Sequence, residues 1–240
     1  MSKVASDYII KKIKSSSRIT LGLATGGTPE GTYKHLINDH RRNGTSYKHV
    51  TTVNLDEYVG LSGNHQNSYQ YYMRTNLFDH IDINQDHAHL PKGDAIDIEM
   101  ECKRYEELIE NIGGVDLQLL GIGKNGHIGF NEPGTSFQSK THVVTLASST
   151  REANARYFDR PDDVPTQAIT MGIGTIVKSK EILLLIAGES KKEAFKKLIE
   201  NDVDESFPAS ILKKHHNVKI IVDEKAALSL EKGKIPISVI

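Results

Sequence analysis

Short apolar runs alternate along this chain with longer stretches in which apolar positions recur at a helical period. The runs 18–24, 50–55, 115–121, 142–146, 181–187 and 218–222 are rich in Val, Ile and Leu and predict strands. The stretches 28–42, 68–79, 96–112, 149–158 and 190–201 predict helices between them. A run such as ILLLIA at 182–187 has no polar face, so it belongs in a sheet covered on both sides. Regular strand–helix alternation then predicts right-handed crossovers and a doubly wound, mostly parallel sheet with helices on both faces, a Rossmann-like α/β fold. Ligands of such sheets bind beyond the C-terminal ends of the strands.

Nothing in the chain divides it. There is no internal repeat, low-complexity segment or Pro/Gly/Ser-rich linker, which predicts a single α/β domain over 1–240. Its 240 residues are 38% hydrophobic and 25% charged, enough for a substantial core. Thirty basic residues against 31 acidic ones leave no basic excess for nucleic acid or a membrane surface. The lone Cys102 excludes a disulfide within the chain and reads as a packed thiol. The N-terminal MSKVASDYIIKKIK holds only a very short apolar run between lysines. No later run approaches the roughly 18 residues of a membrane span. A cytoplasmic protein is the expectation.

Four of the strand ends carry unusual residues. The first run enters Thr25-Gly26-Gly27-Thr28, with Pro29 where a helix would begin. Gly26 and Gly27 beside a helix N-terminus suit a phosphate, or form a plain tight turn. Thr28-Pro29 stands where a nucleotide-binding P-loop needs Lys-Ser/Thr, which excludes that loop. The second run ends in Asp56-Glu57. Neighbours on an extended chain point to opposite faces, so one of them, Asp56 by preference, faces the crevice as a single base rather than as half of a dyad. An exposed structural pair is the alternative.

The third end is GIGKNGHIGFNEPG at 121–134. Gly121, Gly123 and Gly126 fit a dinucleotide fingerprint, but Gly129, Pro133 and Gly134 forbid the helix it needs. What remains is a glycine-rich loop presenting Asn125, His127 and Glu132, a set suited to proton transfer near neutral pH. The fourth, Gly188-Glu-Ser-Lys191, puts a lysine at a helix start, an unfavourable place unless an anion joins it. His87, His89, His215 and His216 lack companions at ligand spacing, and no metal is expected. Ser148-Ser149-Thr150 reads as an N-cap. The residues alone thus point to a cofactor-free α/β enzyme using acid–base chemistry on a small phosphorylated compound.

The chain resembles the glucosamine-6-phosphate deaminase (isomerase) family, through LATGGTPEGTY (23–33), VNLDEYVGL (53–61), HIGFNEP (127–133), STREANARYF (149–158), AITMGIGTI (168–176) and Lys191. The resemblance implies conversion of glucosamine 6-phosphate to fructose 6-phosphate and ammonia, in amino-sugar breakdown. It implies Asp56 as the base at C2, His127 as the ring-opening residue, and Glu132 and Asn125 as its partners. It also implies phosphate recognition by Gly26, Gly27, Thr28, Arg156 and Lys191, and a mobile lid at about 146–165. Many relatives have Asp at the position of Asn125. Hexameric relatives activated by N-acetylglucosamine 6-phosphate carry basic residues after the NEP loop, where this chain has His142 and Val144. A non-allosteric monomer or small oligomer is the expectation. A 6-phosphogluconolactonase is the rival; its pattern favours Asp-Glu-Arg and Gly-His-Ala-Ser-Leu-Phe-Pro-Gly, whereas this chain has Asp56-Glu57-Tyr58 and HIGFNEP. A catalytically inert sugar-phosphate-binding regulator is a third reading. Retention of Asp56, His127 and Glu132 weighs against it.

Overall fold

The computed structural model describes residues 1–227; residues 228–240 of the expected domain lie outside the described residues. In chain order the strands are β1 (Ile19–Leu23), β2 (Val50–Asn54), β3 (Asp56–Tyr58), β4 (Ala88–His89), β5 (Leu117–Gly121), β6 (His142–Thr145), β7 (Gln167–Thr170), β8 (Ile182–Ile186) and β9 (Val218–Val222). The helices are α1 (Ser2–Lys14), α2 (Glu30–Asn43), α3 (Tyr69–Asn76), α4 (Ile98–Asn111), α5 (Ser148–Asn154), α6 (Ile173–Ile176), α7 (Lys192–Glu200) and α8 (Glu224–Ala227).

Six strands form the expected parallel sheet in the order β4-β2-β1-β5-β8-β9. The alternation of side chains along each strand sorts the apolar residues into two cores. Leu21, Leu23, Leu117, Leu119, Leu183 and Leu185 pack with Ala5, Ile9 and Ile13 of α1 and Leu36 of α2. Leu120, Ile182, Leu184 and Ile186 pack with Tyr105 and Ile109 of α4 and with Phe195 and Leu198 of α7. Burial on both faces is why these strands read as continuous apolar runs.

The run at 142–146 is a strand but not a member of that sheet. β6 pairs antiparallel with β7, and β7 with β3, in a separate three-stranded sheet. Its sequence HVVT is only half-buried, which is the signature of a sheet with one open face. Helix ends follow local chemistry. Asp97 caps α4 by accepting the Met100 N–H at 2.9 Å, and Ser68 caps α3 by accepting that of Tyr71 at 3.0 Å. Gly44, at φ 69°, ends α2 in the left-handed conformation. The stretch expected as one helix over 149–158 is α5 followed by a 3-10 turn, Ala155–Tyr157.

Candidate active site

Strand order reverses between β1 and β5, and the loops leaving both strands converge there, as doubly wound sheets require of a binding crevice. A cavity of about 600 Å³ opens at this point. Its walls bring together Gly26, Gly27, Thr28, Asp56, Asn125, His127, Arg156 and Lys191, from five separate stretches of sequence. Glu132, the remaining expected residue, stands behind Asn125 and His127.

One end of the cavity is cationic. β1 runs into the Gly26-Gly27 turn, where Gly26 takes φ +87° and its carbonyl accepts the Tyr72 hydroxyl at 2.7 Å. A Cβ on Gly27 would lie 3.9 Å from Arg156 Nη2, so the guanidinium sits close to the turn. Arg156 also donates to the Tyr157 hydroxyl at 2.9 Å. Lys191 is held below its usual pKa first by burial and then by the cations Lys124 and Arg156. Cations gathered so that they disfavour one another are balanced by an anion placed among them. Lys124 was not expected at this site. It lies in the glycine-rich loop between Gly123 and Asn125, and its place beside two candidate residues was the available signal.

Asp56 occupies a different environment. It begins β3, pairs with Thr170 of β7, and is buried. Tyr58, Tyr69, Phe130 and Phe158 form an aromatic cluster around β3, with ring centroids 4.8–6.1 Å apart; Tyr69 and Phe130 also line the cavity. Burial, then the neighbouring Glu57 charge, pushes the Asp56 carboxyl up to about 8. Glu57 points elsewhere, as the alternation predicts. Its carboxylate accepts the backbone N–H groups of Tyr58, Tyr69 and Gln70 at 2.8, 2.9 and 2.9 Å, anchoring the start of α3. The pair is therefore one cavity-facing carboxyl and one helix anchor.

The glycine-rich loop leaves β5 and folds His127 against its own backbone. A Cβ on Gly123 would fall 2.3 Å from the His127 ring, so only glycine admits the imidazole there. The His127 N–H donates to Asn125 Oδ1 at 3.3 Å, and Asn125 Nδ2 donates to Glu132 Oε2 at 2.6 Å. Asn125 thus joins Glu132 to the loop backbone rather than holding the imidazole. The His127 Nδ1 atom lies 3.7 Å from Glu132 Oε2, beyond hydrogen-bond reach, and is buried without another partner among the described residues. Thr150 donates to Glu132 Oε1 at 2.5 Å. Burial alone would raise Glu132, but His127, the Thr150 hydroxyl and the Asn125 amide outweigh it and hold the carboxylate at about 2.

Thr150 corrects the expectation of an N-cap. Ala147 occupies that position in α5 with no side-chain cap, and the Thr150 hydroxyl turns toward Glu132 instead. A cluster of three hydroxyls beside a helix start reads as capping, and nothing local in sequence signals a partner 18 residues earlier.

A cationic end, a buried high-pKa carboxyl and an imidazole–carboxylate loop at a switch point define an α/β enzyme of sugar-phosphate type. The chain belongs to the glucosamine-6-phosphate isomerase/6-phosphogluconolactonase family, whose model matches residues 1–221. It is 61% identical over 227 residues to the glucosamine-6-phosphate deaminase of Shouchella clausii (strain KSM-K16), covering 95% of this chain and 92% of that one. It is 55% identical over 227 residues to glucosamine-6-phosphate deaminase 1 of Bacillus subtilis (strain 168), covering 95% and 94%. The solved structure of a monomeric glucosamine-6-phosphate deaminase matches with a TM-score of 0.94 at 54% identity, over 95% of each chain. The 6-phosphogluconolactonase of Trypanosoma brucei matches at TM-score 0.78 with 18% identity, over 96% and 94%, a likeness of fold alone.

Proposed function

We propose that this chain converts glucosamine 6-phosphate and water to fructose 6-phosphate and ammonia. The single observation that carries this reading is the buried, cavity-facing Asp56 at about 8 in the same cleft as the Arg156, Lys191 and Lys124 cations. The cations, with the Gly26-Gly27-Thr28 turn, hold the phosphate dianion. His127, backed by Glu132, moves a proton between the anomeric hydroxyl and the ring oxygen as the sugar opens. Asp56 takes the C2 proton and returns it to C1, while the amine gives up a proton as O1 gains one; the C1 aldehyde becomes a hydroxymethyl group and the carbon–nitrogen bond an imine at C2, which water hydrolyses. A base whose pKa lies near the working pH suits such a two-way transfer.

The segment 146–165 carries Arg156 and acts as a lid: closure over the phosphate excludes water and strengthens the field around Asp56. The reaction belongs to the cytoplasm and runs in a monomer or small homo-oligomer without allosteric activation. The Ser139 hydroxyl already accepts the Ile173 N–H at 2.9 Å, and His142 Nδ1 meets the Lys140 carbonyl at 2.8 Å, so that stretch offers little to a second sugar phosphate. Among the described residues, no helix is long and apolar enough to cross a membrane. Sigmoidal kinetics relieved by N-acetylglucosamine 6-phosphate would contradict the absence of activation.

Ammonia release from glucosamine 6-phosphate by purified protein, with chelator present and Asp56→Asn as control, tests the reading. Equal amounts of ammonia and fructose 6-phosphate, absent in the control, are expected. Hydrolysis of 6-phosphogluconolactone without ammonia release would overturn it in favour of the rival.

A further inference from the structure

The Glu132 carboxylate is held from two sides. Oε2 faces the catalytic loop, accepting from Asn125 and standing 3.7 Å from His127 Nδ1, while Oε1 accepts the Thr150 hydroxyl at 2.5 Å. Thr150 is buried and belongs to α5, and Arg156 follows six residues later on the 3-10 turn that continues it. Asn154 Nδ2 donates to the Thr150 carbonyl at 3.0 Å, which ties the end of α5 back to Thr150. Of the hydrogen bonds made by residues 147–164, Thr150 to Glu132 is the one, among the described residues, that reaches outside the segment. The phosphate-facing arginine and the histidine's carboxylate are therefore joined through a single hydroxyl.

The gap at His127 gives that joint a task. A hydrogen bond from Nδ1 requires a separation of roughly 2.7–3.2 Å, so Glu132 needs to move by less than about 1 Å to make it. We infer that Thr150 is a positioning residue: an anion drawn in by Arg156 shifts α5, and Thr150 swings Glu132 into hydrogen-bond contact with His127 Nδ1. The device withholds an oriented imidazole until a phosphate is in place. It rests on the deaminase reading for the chemistry that follows, but not for the coupling itself.

The test separates the two. Protein labelled with ¹⁵N at histidine is titrated with inorganic phosphate, and the downfield Nδ1–H proton of a hydrogen-bonded imidazole is followed by NMR, assigned by its loss in His127→Gln. Wild type and Thr150→Ser are expected to gain the signal on phosphate binding, and Thr150→Val to bind phosphate without gaining it. With glucosamine 6-phosphate, Thr150→Val is expected to lose at least tenfold in kcat with KM within threefold of wild type, and Thr150→Ser to recover kcat to within threefold. A double variant with Glu132→Gln should lose no more than the worse single variant, because both act on one carboxylate. Where Thr150→Val does not fold, Thr150→Ala takes its place. A phosphate-induced signal in the valine or alanine variant, no such signal in wild type, or additive losses would each overturn the proposal. The signal in a wild type that releases no ammonia would sustain the coupling and overturn the deaminase reading alone.

Discussion

Asp56 and Glu132 carry the same functional group to one cleft in opposite surroundings. Asp56 is buried beside aromatic rings and a second carboxylate, and among the described residues no side-chain donor reaches it; its proton is held up to about 8. Glu132 is only partly buried and receives the Asn125 amide and the Thr150 hydroxyl, with His127 close by; it stays ionised down to about 2. In the proposed mechanism the carboxyl that gains and loses a proton is the one starved of donors, and the one that stays charged is surrounded by them. The environment assigns the role, and the residue type does not.

Replacing Asp56 tests the first half most sharply. Asp56→Asn is expected to lower kcat by about 10³-fold or more, the scale of a general base, while inorganic phosphate still binds by calorimetry. The same variant should gain stability at high pH. The native Asp56 proton is released near 8, whereas in the unfolded chain it leaves near the ordinary value of 3.8. The stability this group contributes is therefore fully present below about 4 and is lost as pH rises through 8. Thermal melts should place Asp56→Asn above wild type at pH 9, with the difference shrinking as pH falls toward 4. A variant less stable than wild type at pH 9 would mean that folding does not raise the Asp56 pKa.

Glu132 should show the reverse sign and a smaller kinetic effect. Its depressed pKa contributes stability above the ordinary carboxylate range that is lost as pH falls toward 2. Glu132→Gln keeps the shape and removes the charge, and a kcat loss of roughly 10- to 100-fold is expected, below that of Asp56→Asn. Equal losses at the two positions would erase the distinction between proton carrier and fixed anion.

The cationic end comes next. Arg156→Ala is expected to raise KM at least tenfold, roughly 1.4 kcal/mol of binding. Lys124→Gln should raise it only about threefold, because Lys124 is exposed and its charge is screened. Steady-state kinetics at two ionic strengths checks both. An unchanged KM in Arg156→Ala removes that residue from phosphate recognition.

What was legible in the sequence follows the same physics. β1, β5 and β8 were readable because burial on both faces leaves a largely apolar run, whereas β2 (VTTVN) and the half-buried edge strand β9 (VKIIV) were readable from their β-branched residues. α1 was not, although Ala5, Ile9 and Ile13 stand at helical spacing, because flanking lysines made the apolar run look too short. β3, β4 and β7 are only two to four residues long and take their conformation from their neighbours. The expected placement of β6 failed because strand character does not name the sheet. At the site, Asp56, His127 and the glycines stood out through motif and turn chemistry. Lys124 and Thr150 did not, since a loop lysine and a helix threonine acquire meaning only from partners brought close by the fold.

The finest test of the comparison is the neighbour of Asp56. Glu57 anchors α3 through the backbone N–H groups of Tyr69 and Gln70 and also accepts that of Tyr58, and its charge is the second cause of the raised Asp56 pKa after burial. Glu57→Gln keeps an acceptor oxygen for Tyr58 and Tyr69, gives up the one that Gln70 uses, and removes the charge. Because the base must be ionised, kcat/KM of wild type should climb with pH and level off above about 8. In Glu57→Gln the climb should move to lower pH by less than about one unit, since burial, the larger cause, is untouched. A shift of several units would make the neighbouring charge, rather than the aromatic surroundings, the reason Asp56 holds its proton. No shift at all would leave burial as the whole explanation, and the contrast with Glu132 would then rest on burial and hydrogen-bond donors, with no part for the neighbouring charge.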